Sequence, residues 1–297
     1  MSRQSDAINR ELLEQYRTSG LVVVQRMERH CVPIYDRKVA ELQSAGQRPA
    51  SKYVLDYLGQ ILVGARPAVQ RELDGIDAYR IGARTTEEEQ VRIRRGRNNW
   101  IKSNAGKIFE RLVGFSLANA LVGTNFAIWP FRNDAHSKVG FGPEDTLVNV
   151  EAAGEQLSTP IEADFVATRI PNSQDSPILL ISVKSTLKDR FHMVGFWKLL
   201  LDVSVSPVVR PEITASNSTR LSRCKYVVVC TDIAEEQPDL AHEPRNLIKI
   251  DAAVLDFAFA SLGPEATFLG VDFGRDEGGR NHIFHRLSAI VDLIRQY

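Results

Sequence analysis

Thr159-Pro-Ile-Glu-Ala-Asp-Phe-Val-Ala-Thr-Arg169 and Pro177-Ile-Leu-Leu-Ile-Ser-Val-Lys-Ser185, separated by the turn-forming run PNSQDSP at 171–177, decide the fold. The first stretch alternates as a strand does, with Ile161, Ala163 and Phe165 on one face and Glu162, Asp164 and Val166 on the other. The second is an almost unbroken apolar run with a polar tip, as expected of a more buried strand. Working outward, residues 103–122 carry apolar side chains at Ile108, Leu112, Phe115, Ala118 and Leu121, one broad helical face. A helix is expected over 191–203, a strand over 225–232, and helices around 252–262 and 282–297. Residues 1 to about 85 read as helical, over 7–16, 21–45 with a break at Pro33, and 52–64, with a turn at Asp74-Gly75. Strands alternating with helices predict an α/β fold with a central mixed β-sheet flanked by helices, plus the N-terminal helical region.

The chain has 297 residues, with 37 Lys plus Arg against 37 Asp plus Glu, so its formal net charge is zero. At 43% hydrophobic and 25% charged it can build a full core, which excludes collagenous, disordered and coiled-coil classes. No Gly/Ser linker divides it. We therefore expect a single domain over 1–297, with 1–85 as a helical elaboration and 86–297 as the catalytic core. Cys31, Cys224 and Cys230 are too few and too scattered for a disulfide framework or a zinc site, which points to a reducing cytosol. No apolar run approaches a membrane span, so no membrane association is expected.

The zero net charge hides a concentration of positive charge. Between Arg92 and Arg111 stand Arg92, Arg94, Arg95, Arg97, Lys102, Lys107 and Arg111 against one acid, Glu110. A solvated helix face would mix in acids. Arginines and asparagines around Trp100 suit phosphate contacts better, so Arg92, Arg94, Arg95, Arg97, Lys102 and Lys107 are candidates for a DNA backbone surface. Glu87–Glu89 precede them, where a helix dipole favours acids.

The chemistry comes from the paired strands. Glu162 and Asp164 share a face of the first, and Ser182 and Lys184 share a face of the second. Carboxylates and a lysine converging at strand ends suit a hard divalent cation such as Mg²⁺, which keeps several waters while carboxylate oxygens hold it. The cation would acidify a water, and the ammonium would offset the charge that builds on a pentacoordinate phosphorus. That chemistry is phosphodiester hydrolysis.

The text that follows the second strand is Ser182-Val183-Lys184-Ser185-Thr186-Leu187-Lys188-Asp189-Arg190. It resembles the PD-(D/E)XK type II restriction endonucleases, in particular the EcoRII/NgoMIV-like branch that acts at CCGG- and CCNGG-type sites. In that branch a serine replaces the acid before x-Lys, as Ser182 does here, and a basic–acidic–arginine motif follows three intervening residues later. Lys188-Asp189-Arg190 matches it, with lysine where arginine is more usual. The likeness spans roughly residues 100–260 and is specific across Asp164 to Arg190.

The resemblance implies a restriction-endonuclease-like fold in a prokaryotic cytosol. It implies Asp164, Lys184 and Ser182 in the catalytic set, Mg²⁺ as cofactor, and double-stranded DNA as partner. It further implies a homodimer or tetramer, and base reading by Lys188, Asp189 and Arg190. An arginine fork matches guanine O6 and N7, and an aspartate accepts from the cytosine amino group. Two departures stand out. Ala163 precedes Asp164 in place of proline, and the positions where relatives carry a further carboxylate are Trp197 and Lys198. The best substitute is Glu110, and Glu162 is the next. Two rival readings are a repair or structure-specific nuclease of the same fold, and a DNA-binding protein on an inactive nuclease fold.

Overall fold

Thr86 opens the longest helix of the molecule: its hydroxyl accepts the Glu89 N–H at 3.3 Å and its own N–H donates to the Glu89 carboxylate at 3.0 Å. The structure is a computed structural model that describes residues 3–18, 22–81, 85–152, 155–173, 175–184, 191–206, 213–215, 218–231, 257–260 and 285–296. Helices α1 (Arg3–Thr18), α2 (Val22–Ser44), α3 (Ala50–Tyr53), α4 (Leu58–Arg80) and α5 (Glu87–Leu121) come first. Then follow β1 (Phe126–Pro130), α6 (Ala135–Val139), β2 (Leu147–Ala152), β3 (Glu155–Pro160), β4 (Phe165–Arg169) and β5 (Ile178–Lys184). The remainder is α7 (Phe191–Ser204), β6 (Ile213–Ala215), α8 (Ser218–Leu221), β7 (Cys224–Cys230), β8 (Phe257–Ala260), β9 (His285–Arg286) and α9 (Ala289–Gln296).

The main sheet runs β1-β4-β5-β7-β8-β9 among the described residues. β1, β4 and β5 are antiparallel neighbours, whereas β5, β7, β8 and β9 run parallel. The expected mixed α/β architecture is thus present. β3, β2 and β6 form a smaller antiparallel sheet. Helix α5 packs against β1 and β5 on one side and against α1, α2 and α4 on the other. One continuous apolar core includes Leu12, Leu55, Phe109, Leu117, Phe165, Ile181, Val227 and Ile294.

A glycine sets how closely α5 approaches the sheet. A β-carbon at Gly114 would collide with the Tyr16 hydroxyl of α1 and lie 2.7 Å from the Phe165 ring of β4. Without one, the helix seats directly over the start of β4. Glu110 lies one turn earlier on the same helical face, which aims it at Asp164, the residue before Phe165.

The sequence-based expectations differ from the structure at several places. The helix predicted over 103–122 and the basic window before it form one continuous element, because Gly96 alone costs too little to stop a helix of this length. Asp74-Gly75 is not a turn but lies inside α4, where Gln70 bonds Asp74 at 3.1 Å and Arg97 pairs with Asp74 and Asp77. Likewise α2 continues through Pro33, tertiary packing outweighing local preference. Residues 159–169 are not one strand. Pro160 ends β3, residues 161–164 cross between the two sheets, and β4 begins at Phe165. Finally, residues 257–260 are strand β8, not helix, a short apolar run being ambiguous by periodicity.

Helix α1 sews the outer edge of the main sheet. The buried Asn9 side chain donates to the Phe126 carbonyl at 2.9 Å and accepts the Ile128 N–H at 3.1 Å, taking the place of a neighbouring strand. Asn9→Ala leaves both backbone groups buried and unpaired, a cost of about 2 kcal/mol or more. The urea midpoint should fall with an unchanged slope. A midpoint equal to wild type would show that this edge takes its partners from water.

Candidate active site

Asp164 is fixed by its backbone before its side chain does anything. Its N–H donates to the Ile181 carbonyl at 2.9 Å, and its carbonyl accepts the Phe131 N–H at 3.0 Å. The β4–β5 register ends at Phe165 opposite Ile181. Beyond that pair the ladder gives way, and the Asp164 carboxylate takes the place of backbone: Oδ2 accepts the Val183 N–H at 2.5 Å. The same oxygen accepts from the Lys184 ammonium at 3.1 Å and faces the Ser182 hydroxyl at 3.4 Å. All of these contacts fall on Oδ2. Among the described residues Oδ1 takes none, leaving a carboxylate oxygen open to a hard cation.

Asp164 and Lys184 are each about one-fifth exposed, at the edge of an open cavity of about 140 Å³. Glu162, Ser182, Trp197 and Tyr226 also line it. Glu162, Ala163 and Asp164 all line the cavity, and none of them lies within a strand, so the strand alternation expected here does not sort them into two faces. Glu110 enters the same electrostatic neighbourhood from α5. Burial, and then the Asp164 charge, push its carboxyl up to about 7, against smaller pulls from Lys184, Arg111 and Lys107. Glu110, Asp164 and Lys184 therefore feel one another, from three separate elements.

These residues fit a hard divalent cation. Mg²⁺ needs one or two carboxylates with retained waters, and a cation held by Asp164 and Glu110 would offset the part of the Glu110 shift that the Asp164 charge adds to burial. Glu110, Glu162 and Asp164 do not form a group of three with all ligand atoms within 4.8 Å; among the described residues His136, Glu144 and Asp145 do. That trio is already occupied. Asp145 Oδ2 accepts the Gly142 N–H and contacts His136 Nδ1, each at 2.8 Å, while Oδ1 faces Arg220 at 3.6 Å. It caps its own 3₁₀ turn.

On α7, Trp197 and Lys198 bring no carboxylate to the cavity. Lys198 is buried and pairs with Asp202, so Asp202 is committed one turn along α7. The Trp197 indole N–H is buried with no partner among the described residues. Of the basic window, Arg92, Arg94, Arg95 and Lys107 are exposed along α5. Arg97 instead bonds Asp74 and Asp77 of α4, and Arg111 bonds Glu28 and the Tyr16 carbonyl. The Lys102 side chain and the whole of Lys188, Asp189 and Arg190 lie outside the described residues.

One participant has no signal in the sequence. Tyr226 of β7 is fully buried, and its hydroxyl donates to the Glu162 carbonyl. Burial above all holds the phenol far above its ordinary pKa, with a smaller opposing pull from the neighbouring Ser182 hydroxyl. It lies 62 residues from Asp164, inside an ordinary apolar strand, and only the sheet brings the two together.

No family model matches the chain, and no curated protein matches it. Among solved structures it is similar to metal-depleted Ecl18kI in complex with uncleaved DNA, at 13% identity over 98% of this chain and 84% of that one, with a TM-score of 0.40. Among the described residues, no helix is long and apolar enough to cross a membrane.

The raised Glu110 carboxyl sets a stability prediction with a definite sign. Its folded value of about 7 exceeds the ordinary 4.5, so its favourable contribution is complete below pH 4.5 and is lost as pH rises through 7. Without added metal, Glu110→Gln should therefore raise the melting temperature by roughly 5 °C at pH 8 and leave it unchanged near pH 4.5. Equal melting temperatures at pH 8 would place Glu110 in water, away from Asp164.

Proposed function

We propose that this chain is a Mg²⁺-dependent type II restriction endonuclease of the PD-(D/E)XK kind. It would hydrolyse both strands of double-stranded DNA at a short palindromic, G·C-containing site of the CCGG or CCNGG type. The observation that carries the reading is the junction of Asp164 Oδ2 with the Lys184 ammonium at 3.1 Å, facing a cavity and within the electrostatic reach of Glu110. A carboxylate, a lysine and a second carboxylate from the packed helix are the minimum set for metal-assisted phosphodiester hydrolysis.

In this reading Asp164 is a metal ligand and Glu110 the second carboxylate, with Glu162 as its alternative. Mg²⁺, when bound, supplies Lewis acidity and charge neutralisation at the scissile phosphate. Lys184 orients the attacking water and offsets the charge gathering on the phosphoryl oxygens. Ser182 holds the Asp164 carboxylate in place. Lys188, Asp189 and Arg190 follow the active-site strand directly and read the G·C pairs, so recognition is coupled to the scissile bond through a few residues.

Arg92, Arg94, Arg95, Lys102 and Lys107 bind the phosphate backbone along α5. Arg97, committed to Asp74 and Asp77, holds α5 against α4 and leaves that set. The whole of 1–297 acts as one nuclease domain in a prokaryotic cytosol, with 1–85 as its helical elaboration and 86–297 as its catalytic core. A palindromic target calls for a two-fold homodimer, or a tetramer built from two, with one active site per strand.

Digestion of a plasmid of known sequence with Mg²⁺, followed by run-off sequencing, tests the reading. Discrete bands with ends at one sequence are expected. A smear or cutting at flaps favours a repair or structure-specific nuclease, and binding without cutting favours an inactive fold. Lys184→Ala should lower cleavage about 10³-fold while sparing specific binding in Ca²⁺. Wild-type rates in that variant would move the active site elsewhere. Replacing Arg92, Arg94 and Arg95 by alanine should weaken binding to all sequences alike and lower the salt slope by about one for each phosphate no longer neutralised.

A further inference from the structure

The carboxylate at the centre of the site sits on a segment that no regular strand holds. Residues 161–164 leave the small sheet after Pro160 and join the main sheet only at Phe165. Their ends are tied: the Ile161 N–H donates to the Thr146 carbonyl at 3.2 Å, and Asp164 bonds β5 and Phe131. Between those ends the Glu162 carbonyl has the Tyr226 hydroxyl as its donor. Tyr226 stands in register with Leu180, two residues before Ser182, so Tyr226 and Ser182 project from one face of the sheet. The Ser182 hydroxyl donates to Asp164 Oδ2 at 3.4 Å, while the Tyr226 hydroxyl has its proton on the Glu162 carbonyl.

We propose that Tyr226 is a positioning residue for the metal-binding carboxylate: its hydroxyl pins the Glu162 carbonyl, two residues before Asp164, and so fixes the backbone that carries that carboxylate, while Ser182 meets the carboxylate from the side-chain side. This rests on the reading of Asp164 as a metal ligand. It also gives the serine that replaces the usual acid a physical role. Ser182 is 2% exposed, and its hydroxyl donates to the Asp164 carboxylate. A carboxylate at that position would meet the Asp164 charge in a buried setting, whereas a hydroxyl can donate to it. Groups that orient a ligand in this way are typically worth 10- to 100-fold in metal affinity.

The test is Mn²⁺ binding by titration calorimetry on the full chain, well below the melting temperature, beside the metal dependence of DNA cleavage. Tyr226→Phe keeps the buried ring and removes only the hydroxyl. It should weaken Mn²⁺ about tenfold and slow cleavage at limiting metal, with recovery to within twofold of wild type at saturating metal. Val227→Ala, on the opposite face of β7, controls for mere loss of packing: it should lower the melting temperature and leave Mn²⁺ affinity unchanged. Should Tyr226→Phe not fold, Tyr226→Met, which also lacks the hydroxyl, stands in and should weaken Mn²⁺ in the same direction.

Mn²⁺ affinity within twofold of wild type in the folded Tyr226→Phe variant, or in Tyr226→Met if it stands in, overturns the proposal. Asp164→Ala separates the two levels. If it binds Mn²⁺ and cuts like wild type, the metal-site reading fails. If it loses both while Tyr226→Phe matches wild type, only the positioning role fails.

Discussion

The hydrogen bond from the Val183 N–H to Asp164 Oδ2, with Lys184 on the same oxygen, is the contact around which the site is arranged. It forms where the β4–β5 ladder stops, so a side chain replaces a strand as the acceptor of a buried backbone donor. The geometry follows from that substitution. A carboxylate that must satisfy backbone cannot swing into solvent, and Lys184, next along β5, meets it because both project from the same sheet end. The antiparallel pairing of β4 and β5 thus does two jobs. It builds the middle of the sheet, and it sets carboxylate and ammonium within 3.1 Å.

Helix α5 ties this site to the rest of the molecule. At 35 residues it runs about 50 Å. Its first half carries Arg92, Arg94 and Arg95 into solvent, and its second half brings Glu110 to Asp164. Gly114 permits the approach by offering no side chain to Phe165 and Tyr16. Arg97 and Arg111, by contrast, are spent on holding the helix to α4, α2 and α1. A charge count over residues 92–111 treats these cations alike, and the tertiary structure divides them into outward-facing and structural sets.

Much of the site was legible because strands impose a period of two. Ser182 and Lys184 line the cavity from β5 with Val183 turned away, whereas Glu162 and Asp164 line it together with Ala163, which alternation placed on the other face. Glu110 was legible only through the resemblance, as the substitute for a carboxylate missing at Trp197 and Lys198, and the structure puts it within reach of the Asp164 charge. The split of 159–169 into β3, a crossing and β4 was not, because the alternation continues unchanged through the crossing, and only Pro160 marks it. The strand at 257–260 was missed because four apolar residues carry no period long enough to separate strand from helix. Asp74-Gly75 misled for a third reason: a turn-forming pair stays helical where a distant arginine pairs with its carboxylate.

The sequence by itself determined the alternation of strands and helices, the carboxylates and lysine at the strand ends, and the concentration of positive charge before Glu110. All of these are local, set by side-chain period and residue type within about twenty residues. Only the tertiary structure decided that Asp164 accepts from β5 backbone, that Glu110 feels its charge, and that Tyr226 holds the connector between the two sheets. Each of those depends on which strand lies beside which and how closely a helix can approach. Such distances arise from packing the whole chain, and no single segment encodes them.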